Sequence, residues 1–220
     1  MITGERKSFA EIKKMIEGHK KILVAGCGTC VTVHSAGGEK EVSVLSSLLR
    51  LDAGSKKVEV TEKTVQRQCE WEFLDELKKE VEAADVVISM ACGAGVQALG
   101  ERYPHKWVVP ALNTTFIGIT EEPGVWSERC VACGDCVLEL TGGVCPVARC
   151  AKNLLNGPCG GSQDGKCEVS PETPCAWQLI YDRLKGLGVL ELMEKVNSPK
   201  DWSRDRDGGP RRIVREDLRI

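Results

Sequence analysis

A chain of 220 residues, 42% hydrophobic and 28% charged, is long enough for one or two domains with a buried core, and wholesale disorder is excluded. The formal net charge of -2 argues against a nucleic-acid binder, and the longest apolar runs, Ile22–Ala25 and Val86–Ile88, fall far short of the ~20 residues that span a bilayer, so membrane insertion is not expected. Met1–Lys21 mixes Glu and Lys without an apolar signal core, so a cytoplasmic location is expected, where thiols stay reduced.

The first half alternates between helical and strand patterns. Ser8 caps an expected helix over Phe9–His19, with Phe9, Ile12, Met15 and Ile16 on one face. Ile22–Ala25 reads as a strand that ends in Gly26-Cys27-Gly28-Thr29-Cys30. Residues 40–51 read as a helix with Val42, Leu45, Leu48 and Leu49 as its stripe, and Val58–Val60 as a strand start. Glu70–Ala84 predicts a helix with Phe73, Leu74, Leu77 and Val81 inward, and Asp85–Met90 a β-branched strand followed by Cys92. A helix near Gly95 and a strand over Trp107–Leu112 complete the series. Strands separated by helices predict an α/β fold with an open, mostly parallel sheet and flanking helices.

Glu121-Glu122-Pro123-Gly124 reads as a linker. Beyond it, eight of the 12 Cys fall between Cys130 and Cys175, with many Gly and Pro and little apolar periodicity, as in a loop-rich domain held by its ligands. Gln178–Lys195 resumes a helical pattern. Three regions are expected: an α/β domain over 1–122, a Cys-rich domain over 123–195, and a charged tail over 196–220. The tail reads either as a solvated terminus or as a partner-binding arm anchored by Trp202.

With only three His (His19, His34, His105), a reduced and Cys-rich chain points to all-thiolate metal sites, either iron–sulfur clusters or zinc held by four cysteines. The alternation places Cys27, Cys30, Cys69 and Cys92 beyond the carboxyl ends of parallel strands, where open α/β sheets build their sites. Four thiolates there match one [4Fe–4S] cluster. A redox dithiol of Cys27 and Cys30, with Cys69 and Cys92 as buried thiols, is the alternative. Gly93-Ala94-Gly95-Val96-Gln97-Ala98 fits a dinucleotide fingerprint, but no acidic residue ends the following strand and the match is weak.

Cys130-x2-Cys133-x2-Cys136 has ferredoxin spacing, and Cys145-Pro146 supplies the Cys-Pro element after a longer gap. The simplest partition assigns Cys130, Cys133, Cys136 and Cys145 to one site and Cys150, Cys159, Cys167 and Cys175 to another. Swapped ligation between the two, and zinc at the last site, stay open. Trp126 and Trp177 flank this region, as interface anchors or as packing over a cluster.

The run Cys150-Ala-Lys-Asn-Leu-Leu-Asn-Gly-Pro-Cys-Gly-Gly, with Gly165-Lys-Cys-Glu-Val, Cys175-Ala-Trp and Tyr181-Asp-Arg-Leu, resembles the C-terminal module associated with methylenetetrahydrofolate reductases. With Gly26-Cys-Gly-Thr-Cys near its start, the chain over roughly residues 5–215 resembles the small iron–sulfur (MetV-type) subunit of that enzyme. Ala151 stands where the module carries Pro. The resemblance implies an electron-transfer subunit with two to three [4Fe–4S] clusters. Its partner would be a flavin-containing (FMN) TIM-barrel catalytic subunit of one-carbon (Wood–Ljungdahl) metabolism, and its electrons would come from ferredoxin or a further subunit. The expected cluster ligands are the twelve Cys named above, with no catalytic acid or base on this chain.

Overall fold

In the computed structural model, which describes residues 1–54 and 57–219, the chain divides into two units, Met1–Ser127 and Glu128–Ile220. The first unit begins with β1 (Ile2–Arg6) and α1 (Phe9–Met15), whose Ser8 side chain accepts from the Glu11 N–H as an N-cap. The helix stops short of the expected His19, and Gly18 turns the chain at φ +85°. There follow β2 (Lys21–Cys27), α2 (Cys30–Val33), α3 (Glu39–Ala53) and β3 (Glu59–Val65). Next come α4 (Trp71–Asp75), α5 (Lys78–Ala83), β4 (Val86–Ser89), α6 (Gly93–Arg102), β5 (Trp107–Pro110), β6 (Leu112–Glu122) and β7 (Val125–Cys130).

The expected parallel sheet is present, in the order β3-β2-β4-β5. Ile22 pairs with Val60 on one side and Val86 on the other, and Val86 also pairs with Trp107. Strands β2 and β4 are buried on both faces, which is why they read as continuous apolar runs rather than alternations. One face packs Val24, Val86 and Ile88 against Ile12, Ile16, Val42, Leu45 and Leu49. The other packs Leu23, Ala25 and Val87 against Leu74, Leu77, Val81 and Leu99. Leu48, expected on the inner stripe of α3, is 43% exposed, one step off the buried arc. The single helix expected over Glu70–Ala84 is two: the Lys63 ammonium donates to the Glu76 carbonyl where the helix is interrupted, while Leu74 and Leu77 stay buried.

Two expectations are corrected. The strand expected over Trp107–Leu112 ends at Pro110, and Leu112 starts β6. Glu121–Gly124 is the end of β6 and a hairpin turn at Pro123-Gly124 rather than a linker: β6 is hydrogen-bonded to both β1 and β7 in a second sheet, and Gly124 supplies φ +90°. Strand β1 runs antiparallel to β6, Arg6 opposite Leu112 and Ile2 opposite Ile117.

The second unit has little regular structure before α7 (Pro146–Arg149) and α8 (Ala176–Leu187), which Gly188 closes at φ +72°. A 3-10 segment, Leu190–Glu194, follows where the helical pattern was expected to continue to Lys195. The Cys-rich region has an apolar core of its own. Trp177, Ile180 and Leu184 of α8 are buried with Cys175, and Val144, Cys150, Val189, Leu190, Leu192 and Met193 pack around them. Each fully buried side chain of this kind contributes about 1.5–3 kcal/mol. Among the described residues, no helix is long and apolar enough to cross a membrane.

Candidate functional site

Three of the four upstream cysteines converge at the carboxyl edge of the parallel sheet. Cys27 is the last residue of β2 and buried, Cys92 is the N-cap of α6 just after β4, and Cys69 lies in the loop after β3. Cys27 and Cys92 join Val31, Ala36, Ala91 and Leu112 in one apolar cluster. The Cys69 thiol is pushed above its ordinary value, first by desolvation and then by the neighbouring Cys92 and Cys27. That Cys92 and Cys27 act on Cys69 in this way places the three sulfurs in one locale. Cys30 opens α2 and is half-buried.

The loop that carries Cys69 is fixed by its neighbour Gln68, which is fully buried. Gln68 Nε2 donates to the Ala25 carbonyl at 2.9 Å and the Gly26 carbonyl at 3.0 Å, and Gln68 Oε1 accepts from the Ser89 hydroxyl at 2.6 Å. One amide thus ties the ends of β2 and β4 to the Cys69 loop. Around it the backbones approach closely. A Cβ on Gly37 would fall 1.8 Å from the Met90 carbonyl oxygen, and one on Gly95 would fall 2.9 Å from Gln68 Cβ and 2.7 Å from Ala91 Cβ. Gly95 is therefore required for packing against the cysteine edge, which accounts for one glycine of the pattern that imitates a dinucleotide fingerprint.

Behind this edge, His34 ends α2. Its Nε2 accepts from the Gly4 N–H at 3.1 Å, and its ring meets Trp126 edge-on at 5.8 Å between centroids. Burial holds His34 below its ordinary value, partly offset by a bond to its own backbone and by Glu41. Trp126 therefore belongs to the first unit's packing.

In the second unit, three cysteine sulfurs accept backbone amides. Ala132 N–H donates to Cys130 Sγ at 3.3 Å, Ala148 N–H to Cys145 Sγ at 3.4 Å, and Gly161 N–H to Cys159 Sγ at 3.5 Å. The Cys130–Cys136 loop turns through left-handed Ala132 (φ +54°) and Gly134 (φ +81°), so that successive cysteines come from one tight coil. Cys145 caps α7 with Pro146 at its first position, and Cys150 closes the same helix.

The segments of the last four cysteines are brought together. Cys150 and Cys175 pack in one core cluster. Cys175 N–H donates to Gly165 O at 2.8 Å and Cys167 N–H to Thr173 O at 2.9 Å, which folds 165–175 into a small loop. Glu168, next to Cys167, pairs with Lys152 and lies 3.9 Å from Cys159 Sγ. The Asn-Gly-Pro-Cys motif also has a structural basis. Asn156 Nδ2 donates to Asn197 O at 2.9 Å while Asn156 Oδ1 accepts from Asn197 N–H at 2.7 Å. Gly157 rests on the Trp177 indole, whose Nε1 donates to Leu154 O at 3.0 Å. Trp177 is therefore a core residue that seats the Cys159 loop.

All twelve cysteines are free thiols. Among the described residues, no group of three or more His, Cys, Asp or Glu is arranged to hold a metal ion. Residues 109–203 match a family model described as methylene-tetrahydrofolate reductase C terminal, which relates this part of the chain to methylenetetrahydrofolate reductase. Searches of curated proteins and of solved structures found no match to the chain.

Proposed function

We propose that the chain is an iron–sulfur electron-transfer subunit that works with a catalytic methylenetetrahydrofolate reductase. In this reading it relays electrons to the FMN of a TIM-barrel partner in one-carbon (Wood–Ljungdahl) metabolism, and draws them from ferredoxin or a further subunit. The observation that carries the proposal is the treatment of the sulfurs. Cys130, Cys145 and Cys159 accept backbone N–H groups, the pattern that orients thiolate ligands and steadies their charge. The match of residues 109–203 to the reductase C-terminal family supports the association with that enzyme.

The residue types, twelve Cys beside three His, support all-thiolate sites. Cys27, Cys30, Cys69 and Cys92 would hold one cluster; Cys130, Cys133, Cys136 and Cys145 a second; Cys150, Cys159, Cys167 and Cys175 a third, or zinc. When bound, the clusters supply one-electron carriers that a flavin converts to two-electron chemistry. The protein's part is to hold and screen them.

Anaerobic iron, zinc and acid-labile sulfide analysis, with EPR of the dithionite-reduced chain, tests the proposal. The expected result is a brown protein with up to about twelve iron atoms and matching sulfide. Zinc without sulfide would replace it with a structural interaction module. Disulfide exchange lost on replacing Cys27 and Cys30 by Ser, in a chain without iron, would replace it with a dithiol oxidoreductase.

A further inference from the structure

The charged tail does not run free; part of it folds back over the Cys130–Cys136 loop. Arg211 Nη1 donates to Ala132 O at 2.5 Å and to Arg204 O at 3.1 Å, and Asp201 N–H donates to Asp135 Oδ2 at 3.3 Å. Gly134 lies so close beneath that a Cβ there would fall 2.5 Å from Arg204 O. At the start of this strap, Lys200 is buried, with only 1% of its side chain exposed. Its ammonium has no hydrogen-bond partner. It lies 3.8 Å from Asp135, between Cys133 and Cys136, and 5.7 Å over the Trp202 ring.

A buried ammonium with three unused donors is expensive, and one carboxylate beyond hydrogen-bond distance does not compensate it. The arrangement is balanced if a further anion occupies the loop. An all-thiolate iron–sulfur cluster is such an anion, and it gains one more negative charge on reduction. Resting on the function proposed above, we propose that residues 200–211 are a strap closing the Cys130–Cys136 cluster loop, and that Lys200 is a positioning residue whose buried charge raises that cluster's reduction potential. The step involved is one electron entering the cluster from an external donor, with no bond made or broken. A nearby fixed cation stabilises the more negative, reduced form.

The test uses the full chain reconstituted anaerobically with iron and sulfide, titrated with dithionite and followed by EPR. Lys200→Met should keep its iron content and move one midpoint potential negative, while Lys200→Arg stays near the parent. Asp135→Asn, which removes the nearby carboxylate and leaves Lys200 in place, should move the same midpoint positive. An iron-loaded Lys200→Met with every midpoint unchanged overturns the proposal. If Lys200→Met does not load iron, Lys200→Gln decides: an unmoved midpoint overturns it and a negative shift supports it. A parent chain that takes up no iron or sulfide removes the underlying function, and this inference with it, before any variant is compared.

Discussion

The Ser89 hydroxyl donates to Gln68 Oε1 at 2.6 Å, and this contact closes a buried polar triangle between two parallel strands and the Cys69 loop. Gln68 spends both amide hydrogens on the Ala25 and Gly26 carbonyls at the end of β2, one residue before Cys27. Its position beside Cys69 means that the amide sets where that sulfur emerges relative to Cys27 and Cys92. Packing energy in the strands is thereby converted into placement of thiols.

Gln68→Ala should therefore destabilise the metal-free chain by about 3 kcal/mol, because two carbonyls and a hydroxyl lose their partner in a dry site. The same variant should make Cys69 react faster with a thiol reagent than in the parent. Urea unfolding and timed alkylation measure the two effects. A loss below about 1 kcal/mol would mean that water takes the place of the amide.

His34 predicts acid sensitivity. Its neutral Nε2 accepts from the Gly4 N–H, and burial holds its folded pKa below the ordinary value. The unfolded state then takes up a proton first as pH falls, so stability is full above about pH 6.5. It declines below that point until the lowered folded pKa is passed. Unfolding midpoints measured between pH 8 and pH 5 should show this decline in the parent chain and a flatter profile in His34→Gln. An equal slope in both would assign the acid loss to other groups.

The parallel sheet and the edge position of Cys27, Cys69 and Cys92 were legible because β2 and β4 are buried on both faces and carry unbroken apolar runs. The second sheet was not. Strand β1 is short, with a Gly at its centre, and most of β6 faces solvent, so neither shows a period of two. Glu121–Gly124 carries the same Pro-Gly signal whether it links domains or turns a hairpin. Gln68 was invisible as a polar residue outside any pattern. The strap was hidden because paired charges read as solvated, whereas Lys200 is buried by a loop distant in sequence.

Gly157→Ala tests why the Asn-Gly-Pro-Cys motif needs its glycine. A Cβ at that position would lie 2.4 Å from Trp177 Cδ1, so the loop or the indole must shift. Overpacking of this kind costs about 1–3 kcal/mol. Asn156→Ala, which frees the Asn197 amide and carbonyl, should cost about 1–2 kcal/mol. If Cys150, Cys159, Cys167 and Cys175 hold metal as proposed, both should lower its occupancy there while sparing the proposed upstream site. Thermal unfolding and metal analysis of each variant check this, and unchanged occupancy in both would separate the motif from ligand placement.

If the proposed clusters form, removing them should loosen the two units unequally. The first unit has an apolar core on each face of its sheet, with Leu23, Val24, Val86, Val87 and Ile88 fully buried, so its fold stands without ligands. The second relies on one cluster around Trp177, Ile180 and Leu184, and the Cys130–Cys136 coil lies outside it. After anaerobic chelation, amides over residues 130–136 and 159–173 should exchange quickly, while those of β2 and β4 stay protected. Hydrogen exchange followed by mass spectrometry reads both in one sample. If β2 and β4 lost protection together with the cysteine loops, the upstream thiolates would be holding the sheet together rather than being held by it.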